Sequence, residues 1–207
     1  MTQSAARAVL SKEVTPREVP PMSQRVQSEP EISVVIAFGD HEDSIGHEIR
    51  RVAAHLTGLG RPFEILAVST GSTDNSLSIA GLLAGSMKEL RVLPRATAGR
   101  AFLRGASEAR GDVVVLLDAG KQASLAPLAW ALSRLGAGRD AVVLRGRYVV
   151  ARRLRALPVI VRASGPGLLF EPVFERRAQE LGIDVVGSRA RRPMPLLLRP
   201  VLRFLAA

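Results

Sequence analysis

The sequence contains no cysteine. This absence excludes disulfides, a thiolate nucleophile and a zinc site built on cysteine. Aromatic residues are scarce, with one Trp and one Tyr among 207 residues, which argues against a surface for stacking the bases of single-stranded nucleic acid. No uninterrupted apolar run approaches the ~20 residues of a membrane-spanning helix. Because Met1–Leu10 also lacks the hydrophobic core of a signal peptide, we expect a cytoplasmic protein.

Lysine is scarce as well, occurring only at Lys12, Lys88 and Lys121, so that nearly all basic residues are arginine. The formal net charge is nevertheless +10, and the sequence pI is about 11.4. This surplus of positive charge indicates an anionic partner, such as nucleotide phosphates, an acidic membrane face or nucleic acid. Nucleic acid is the least favoured of these, because stacking aromatics are few. An arginine-rich protein with solvated charged faces is the alternative.

Composition divides the chain into three parts. Residues 1–30 are rich in proline and polar residues, which predicts a disordered or loosely docked arm. Residues 31–188 carry the apolar runs of one domain. Residues 189–207 mix arginine with leucine, valine and phenylalanine. That mixture predicts either peripheral contact with an anionic membrane, at the inner membrane face, or a terminal helix docked on the domain.

Short apolar runs alternate with helical patterns along the central part. The runs predict strands at Ile32–Phe38, Glu64–Ser69, Leu90–Leu93, Val113–Leu117 and Ala141–Leu144. Apolar residues at helical spacing predict helices that begin near Asp43, Asp74, Gly99 and Leu125. Such alternation is typical of an α/β fold with a mostly parallel sheet flanked by helices on both faces. After Arg145 the arginine-rich sequence shows no strong period, apart from a short helix around Phe174 and an edge strand at Ile183–Val186.

The loop after the second strand has the features of a ligand-binding turn. Gly71 ends the strand, and Ser72 or Thr73 is expected to cap the next helix. Backbone N–H groups that are free at the carboxyl end of a strand are where open α/β sheets bind ligands, and phosphates in particular. An ordinary strand-to-helix turn is the alternative.

Four segments occur in a characteristic order: Ile32–Ile45, a strand with an acidic loop; Glu64–Leu77, containing Ser-Thr-Gly-Ser-Thr-Asp; Gly99–Asp112, ending in Ala-Arg-Gly-Asp; and Val113–Gly120, a strand ending in Asp-Ala-Gly. Together they resemble the family 2 glycosyltransferases, with their Pro-x-Tyr-Asn-Glu-Glu, Asp-Asp-Gly-Ser-Thr-Asp, Ala-Arg-Gly-Asp and Asp-x-Asp segments. The resemblance covers residues 32–146. It implies the GT-A nucleotide-diphospho-sugar transferase fold.

The resemblance also implies transfer of a sugar from a nucleotide-diphosphate sugar to an acceptor hydroxyl. In such enzymes a divalent metal usually lies between the diphosphate and an aspartate. Carried over to this sequence, the resemblance places donor-binding residues at Ala37, Phe38, Asp40, Glu42, Ser69, Thr70, Gly71, Gly99, Arg100, Asp118 and Lys121. Asp118 is the implied ligand of Mn²⁺ or Mg²⁺. The acceptor is not predicted.

The first two loops depart from the family's motifs. Gly39 and Asp40 replace a Tyr-Asn pair, so the ring of Phe38 would take the place of the missing aromatic only if the loop shifts. Ser69 and Thr70 replace an Asp-Asp pair, and a threonine hydroxyl offers a nucleobase a weaker hydrogen bond than a carboxylate does.

The third departure affects the metal site. Gly120 replaces the second acid of Asp-x-Asp, usually the metal ligand, and has no side chain to coordinate anything. Lys121 follows it, and its ammonium would partly stand in for a metal against the diphosphate oxygens. We therefore expect metal dependence to be weak or absent, with Asp118 as a weak ligand at most.

Candidates for the remaining chemistry lie further along the chain. Glu171 and Glu175 are the candidates for the acid that deprotonates the acceptor, and solvated surface carboxylates are the alternative. His41, His47 and His55 match no metal motif, so no metal role is assigned to them.

Three functions remain open at this level. The first is a family 2 glycosyltransferase with a degenerate donor site. The second is an inactive relative that binds a nucleotide or a protein partner through the same fold. The third is a basic membrane-surface or nucleic-acid binder for which the fold is only a platform.

Overall fold

The computed structural model describes residues 29–94, 96–164 and 170–189. The predicted arm and the predicted tail lie almost entirely outside these residues.

The described residues form seven strands and six α-helices. The strands are β1 (Ile32–Phe38), β2 (Phe63–Ser69), β3 (Leu90–Leu93), β4 (Val113–Asp118), β5 (Ala141–Arg145), β6 (Tyr148–Arg152) and β7 (Val185–Arg189). The helices are α1 (Ile45–Leu59), α2 (Ser76–Ala84), α3 (Ala101–Glu108), α4 (Leu128–Gly136), α5 (Arg153–Ala163) and α6 (Phe170–Glu180). Short 3₁₀ turns at Ala98–Arg100 and Ala119–Lys121 precede α3 and follow β4. Among these helices, none has the length and apolar character to cross a membrane.

All seven strands join one sheet in the order β3-β2-β1-β4-β6-β5-β7. β1 pairs in parallel with β2 and β4, β2 with β3, and β5 with β7. Only β6 runs against its neighbours, pairing antiparallel with β4 and β5. The predicted α/β fold with a mostly parallel sheet is confirmed, and β7 lies at the sheet edge, as expected.

Both faces of the sheet are covered by helices. Alternate residues of β1 point to opposite faces: Val34 and Ile36 pack in a core with α1, α2 and α4, whereas Val35 packs in a second core with α3, α5 and α6. A strand covered on both faces has no position for a solvent-exposed polar residue, which explains why β1 is apolar almost throughout.

The segment after Arg145 is more ordered than its sequence predicts. Gly146, with φ of 72°, turns β5 back into the antiparallel β6, and α5 follows directly. The sequence did not predict β6 and α5, because arginines interrupt each short apolar run there. In the structure the arginines extend outward to backbone carbonyls: Arg152 donates to Leu135 O at 2.7 Å, and Arg153 to Gly111 O at 2.9 Å.

Each of the four predicted helices begins two or three residues after its expected first residue, at Ile45, Ser76, Ala101 and Leu128. The expectation that Ser72 or Thr73 caps α2 is wrong. The N-cap position is Asn75, without a side-chain capping bond. Ser72 and Thr73 instead use their hydroxyls against the loop that follows β1, so the β2 loop extends further before its helix begins.

The Ala-Arg-Gly-Asp segment braces the amino-terminal edge of the sheet. The buried Glu64 carboxylate accepts hydrogen bonds from Ser33 Oγ at 2.8 Å and from Arg110 N at 2.7 Å. Gly111 N donates to Ser33 Oγ at 2.9 Å, and a Cβ at position 111 would lie 2.9 Å from Glu31 O. Only glycine therefore fits at position 111, and this segment serves the fold at the edge opposite the candidate site.

Candidate functional site

The candidate site lies where β1, β2 and β4 end side by side. Ala37 of β1 is in register with Val68 on one side and Asp118 on the other, and Phe38 is in register with Ser69. The carboxyl ends of these parallel strands share one edge of the sheet, which is where open α/β sheets bind ligands. The sheet register thus brings the predicted donor-binding segments together.

Hydrogen bonds tie the β1 and β2 loops to each other. Thr70 N and Thr70 Oγ1 both donate to Phe38 O, at 2.8 and 3.0 Å. Ser72 Oγ donates to Gly39 O at 2.8 Å. Because the Thr70 hydroxyl proton is used inside the protein, this hydroxyl can only accept a bond from a nucleobase N–H.

The β2 loop is also closed on itself. Gly71 has φ of 100°, a conformation that favours glycine. Gly71 N and Ser72 N both donate to Ser69 Oγ at 3.3 Å, and Ser69 is buried. The Ser69 hydroxyl therefore shapes the loop and does not project from it.

Three carboxylates brace the same pair of loops. Asp40 Oδ1 accepts from Thr73 N at 2.6 Å, and Glu42 Oε2 accepts from Asn75 N at 3.0 Å. Asp74 Oδ2 accepts from Glu42 N at 2.9 Å. Hydrogen bonds, first of all from the Ser76 side chain, hold the pKa of Asp74 below its ordinary value. Asp40 and Glu42 were predicted to bind the donor. At least one oxygen of each carboxylate instead accepts a hydrogen bond that holds the loops together.

Other predicted donor residues are placed differently. The Phe38 ring is 1% exposed and packs in the core with α1, α2 and α4, so it does not line the site and does not replace the missing aromatic. Ala37 is half-buried against the opposite core. Gly99 and Arg100 lie in the 3₁₀ turn before α3, with Arg100 exposed.

His41 fills the space that Gly120 leaves. A Cβ at position 120 would lie 2.9 Å from His41 Nε2 and 3.4 Å from Asp118 Oδ1. Asp118 Oδ1 accepts from Gly120 N at 3.0 Å. The imidazole and the carboxylate thus converge on the place where the second acid of the family motif would project.

These residues do not fit a divalent metal held as in the family. In the part of the chain that the structure describes, no three carboxylate or histidine side chains form a group that could hold a metal ion. Asp118 is the only carboxylate of the motif, one of its oxygens is bonded to Gly120 N, and an imidazole stands where its partner acid would be.

Lys121, in the turn that follows Asp118, forms an ion pair with Glu171. Lys121 Nζ donates to Glu171 Oε1 across 50 residues of sequence. The Glu171 side chain is 5% exposed and that of Lys121 is 23% exposed. Helix α6 therefore delivers one of the two predicted acids to the end of β4, next to the lysine predicted to face the diphosphate.

Glu175 lies elsewhere. Its Oε2 pairs with Arg145 Nη2 at 2.6 Å, and its Oε1 would lie 2.7 Å from a Cβ at Gly187. Glu175 thus packs over β5 and β7, and β6 separates β5 from β4. The two acids that the sequence could not distinguish are therefore separated by the fold.

A cleft of about 350 Å³ adjoins the site on the side of α1, lined by Asp43, Ser44, His47, Glu48, Arg51 and Gln122. Gln122 has φ of 43°, the one non-glycine residue with positive φ among the described residues. The buried Glu48 pairs with Arg51, which also donates to Ala123 O at 2.8 Å. The hydrogen bond from Arg51 to Ala123 thus joins α1 to the segment after Lys121.

His41 is the site residue that the sequence did not predict. It lies 79 positions before Gly120 in the chain (120 − 41), and no motif spacing links the two. The only signal in the sequence was the exchange itself, an acid replaced by glycine in the Asp-x-Asp position and a histidine present in the first loop.

The sequence of this chain is similar to those of known proteins. The profile of "Glycosyl transferase family 2" matches residues 33–163. The undecaprenyl-phosphate 4-deoxy-4-formamido-L-arabinose transferase of Pseudomonas aeruginosa (strain LESB58) is 35% identical over 115 residues, which is 54% of this chain and 34% of that protein. The transferase of the same name from Klebsiella pneumoniae is 36% identical over 96 residues, 44% of this chain and 29% of that protein. The chain thus spans about a third of the length of these curated relatives.

Solved structures share the fold. The mannosyltransferase PcManGT from Pyrobaculum calidifontis, in complex with GDP-Man and Mn²⁺, has a TM-score of 0.60 and 15% identity, with 85% of this chain and 61% of that chain covered. Glucosyl-3-phosphoglycerate synthase from Mycobacterium tuberculosis, in complex with Mn²⁺, UDP and phosphoglyceric acid, has a TM-score of 0.58 and 20% identity, with 83% and 74% covered. At these identities the likeness establishes the GT-A fold.

Proposed function

Since this chain belongs to glycosyl transferase family 2, we propose that it binds a nucleotide-diphosphate sugar at the joint end of β1, β2 and β4 and transfers the sugar to an acceptor hydroxyl. The observation that carries the proposal is the Lys121–Glu171 ion pair at the turn that follows Asp118. A cation suited to a diphosphate and an acid suited to an acceptor hydroxyl come from distant segments and meet at the end of β4.

Each of these residues has a role that follows from its contacts. Glu171 Oε1 accepts the bond from Lys121, which fixes the carboxylate and leaves Oε2 to take the proton of the acceptor hydroxyl as that oxygen attacks the anomeric carbon. The bond from the anomeric carbon to the diphosphate breaks, and the nucleoside diphosphate leaves with the electron pair. Lys121 has further N–H donors for the diphosphate oxygens.

An inactive nucleotide-binding relative is the second candidate, favoured by specific contacts. Asp40 and Glu42 are engaged in holding the loops, and Gly120 supplies no metal ligand. This candidate shares nucleotide binding with the first and differs in having no turnover. Binding driven by the basic charge alone, to a membrane or to nucleic acid, predicts no discrimination between sugar nucleotides and a steep loss of affinity with salt.

Titration of the full chain with UDP, GDP and their common sugar conjugates tests the proposal. We expect micromolar binding of one nucleotide class and slow release of free nucleotide from its sugar conjugate, because water can act as an acceptor. Binding without any turnover would favour the inactive relative. No binding of any nucleotide, with Mn²⁺ or with EDTA, would contradict both.

Helix α6 offers a matched pair of variants for the role of Glu171. We expect Glu171→Gln to keep nucleotide affinity and to lower the turnover rate by about 10²- to 10⁴-fold, because the amide cannot accept the proton. Glu175→Gln, on the same helix and also in an ion pair, is expected to change turnover by less than ~3-fold, since Glu175 lies over β5 and β7. Equal losses in the two variants would point to a structural role for Glu171.

The proposed function also specifies whether a metal is needed and which partners the protein binds. The structural relatives were solved with Mn²⁺ and with GDP-Man, UDP or UDP-Glc. For this chain we propose a nucleotide-sugar donor, an acceptor of unassigned class and no required metal. Peripheral contact with an anionic membrane through residues 189–207 remains a proposal based on their composition.

A further inference from the structure

The position of His41 is set by contacts on both sides of its ring. His41 N donates to Ser76 Oγ at 2.7 Å, and Ser76 is fully buried at the start of α2. His41 Nδ1 accepts from Gly39 N at 3.3 Å. The residue is therefore attached both to α2 and to the β1 loop, and its Nε2 is directed at the Gly120 turn.

The hydrogen bond from Gly39 N to His41 Nδ1 determines whether Nε2 donates or accepts. A ring nitrogen that accepts a hydrogen bond carries no proton, so the ring proton of His41 lies on Nε2. Nε2 is then a hydrogen-bond donor, whereas a metal ligand must offer a lone pair there. The same atom therefore cannot complete a metal site with Asp118 unless the Gly39 bond is broken.

We propose that His41 Nε2–H, together with the Lys121 ammonium in the Ala119–Lys121 turn, holds the diphosphate of the donor in place of a divalent metal, so that nucleotide binding needs no metal. This inference rests on the proposed donor site. The space that a metal-ligating acid would use at position 120 is occupied by a donor suited to phosphate oxygens. His41 and Lys121 would thus hold the diphosphate by direct hydrogen bonds, where other members of the family hold it through a metal ion.

The arrangement has a consequence for restoring the family motif. An aspartate at position 120 must place its Cβ 2.9 Å from His41 Nε2, closer than side-chain carbons approach a nitrogen. Gly120→Asp alone therefore displaces the ring or the turn and does not create a pair of ligands. Removing the ring at the same time frees the space in which Asp118 and an aspartate at position 120 can converge.

Nucleotide binding to the full chain, measured by calorimetry in Mn²⁺ and in EDTA, is the first test. We expect the Kd of the best-binding nucleotide to agree within ~3-fold in the two buffers. Binding that is lost in EDTA would overturn this inference and leave the proposed function standing. Absence of binding in both buffers would overturn the two together.

The variants His41→Ala and His55→Ala form a matched pair, since His55 is a half-buried residue of α1 that does not line the cleft beside the site. We expect His41→Ala to weaken binding in EDTA by about 10- to 100-fold, the range for losing a hydrogen bond to a charged group. His55→Ala is expected to stay within ~2-fold of the unmodified protein. Equal affinities of the two variants would overturn the inference.

The cycle of Gly120→Asp, His41→Ala and the double variant tests the competition for space. Only the double variant is expected to bind nucleotide at least ~10-fold more tightly in Mn²⁺ than in EDTA, with bound Mn²⁺ detected by electron paramagnetic resonance. Equal Mn²⁺ dependence in Gly120→Asp alone would overturn the inference. If Gly120→Asp does not fold, His41→Gln decides: its amide N–H should retain more affinity than His41→Ala, and equal losses would contradict the proposal.

Discussion

Tyr148 is the only tyrosine in the chain, and its ring is fully buried at the start of β6. Within the described residues its hydroxyl has no hydrogen-bond partner. Burial penalises the phenolate and raises the pKa of Tyr148 far above its ordinary value, while the nearby Arg147 and Arg51 oppose the shift only weakly. Since no other tyrosine contributes, this single group can be observed by absorbance.

We predict that the folded protein shows no tyrosinate absorbance at 295 nm as the pH passes the ordinary tyrosine pKa near 10. The unfolded chain releases this proton above pH ~10 and the folded chain retains it, so the unfolded state binds fewer protons and the free energy of unfolding falls as pH rises. The contribution of Tyr148 to the free energy of unfolding is thus fully present below pH ~10 and decreases progressively as the pH rises above it. Absorbance and far-ultraviolet circular dichroism, followed together, should change in one step. Tyrosinate formation in the folded protein would contradict the burial.

At the level of elements, Gly105 lets α3 pack directly against Val35 of β1. A Cβ at this position would lie 2.2 Å from Val35 Cγ1 and 2.9 Å from Val35 Cγ2, both in the centre of β1. A glycine in the interior of a helix lowers its intrinsic stability. Here the absence of a side chain at Gly105 allows the close contact with the strand. α3 thus packs against β1, and the carboxyl end of β1 forms part of the candidate site.

Gly105→Ala is therefore expected to destabilise the protein by about 1–3 kcal/mol or more, because the added methyl overpacks the interface with β1. Gly81→Ala in α2 is the matched control: nothing lies within 4 Å of a Cβ there. That variant should be neutral or stabilise the protein by about 0.5–1 kcal/mol through helix propensity. Urea unfolding of both variants measures the difference. Equal effects of the two variants would contradict the close packing of α3 against β1.

At the scale of the whole molecule, positive charge is carried largely by arginine and extends into the terminal segments. Residues 190–207 contain four arginines among leucine, valine and phenylalanine, and no acidic residue. A basic side chain near an anionic bilayer contributes about 1 kcal/mol of binding, and apolar side chains add to it.

Deletion of residues 190–207 is therefore expected to weaken binding to vesicles containing phosphatidylglycerol by at least ~10-fold in a sedimentation assay. Nucleotide affinity should stay unchanged, because the candidate site is built by β1, β2, β4 and α6. Neutral phosphatidylcholine vesicles serve as the control. If the full and shortened chains sediment equally, the tail has no membrane role.

The sequence by itself determined the elements and their order. Apolar runs such as Val113–Leu117 can be read as strands because a parallel strand buried on both faces tolerates few polar residues. The ordered segments around Gly71 and Asp118, with the Ala-Arg-Gly-Asp segment between them, resembled the motifs of the family, and each of them marks a turn at a strand or helix end. Where arginines interrupt short apolar runs, as in β6 and α5, this local signal fails.

Only the tertiary structure decided which side chains share the site. The turn of β1 into its loop sends the Phe38 ring into the core and leaves His41 at the Gly120 turn. The docking of α6 assigns Glu171 to Lys121, whereas Glu175 goes to Arg145. These pairings join residues far apart in the chain, and strand register and helix packing set them. Local sequence patterns report the burial of a residue and not the identity of its neighbour.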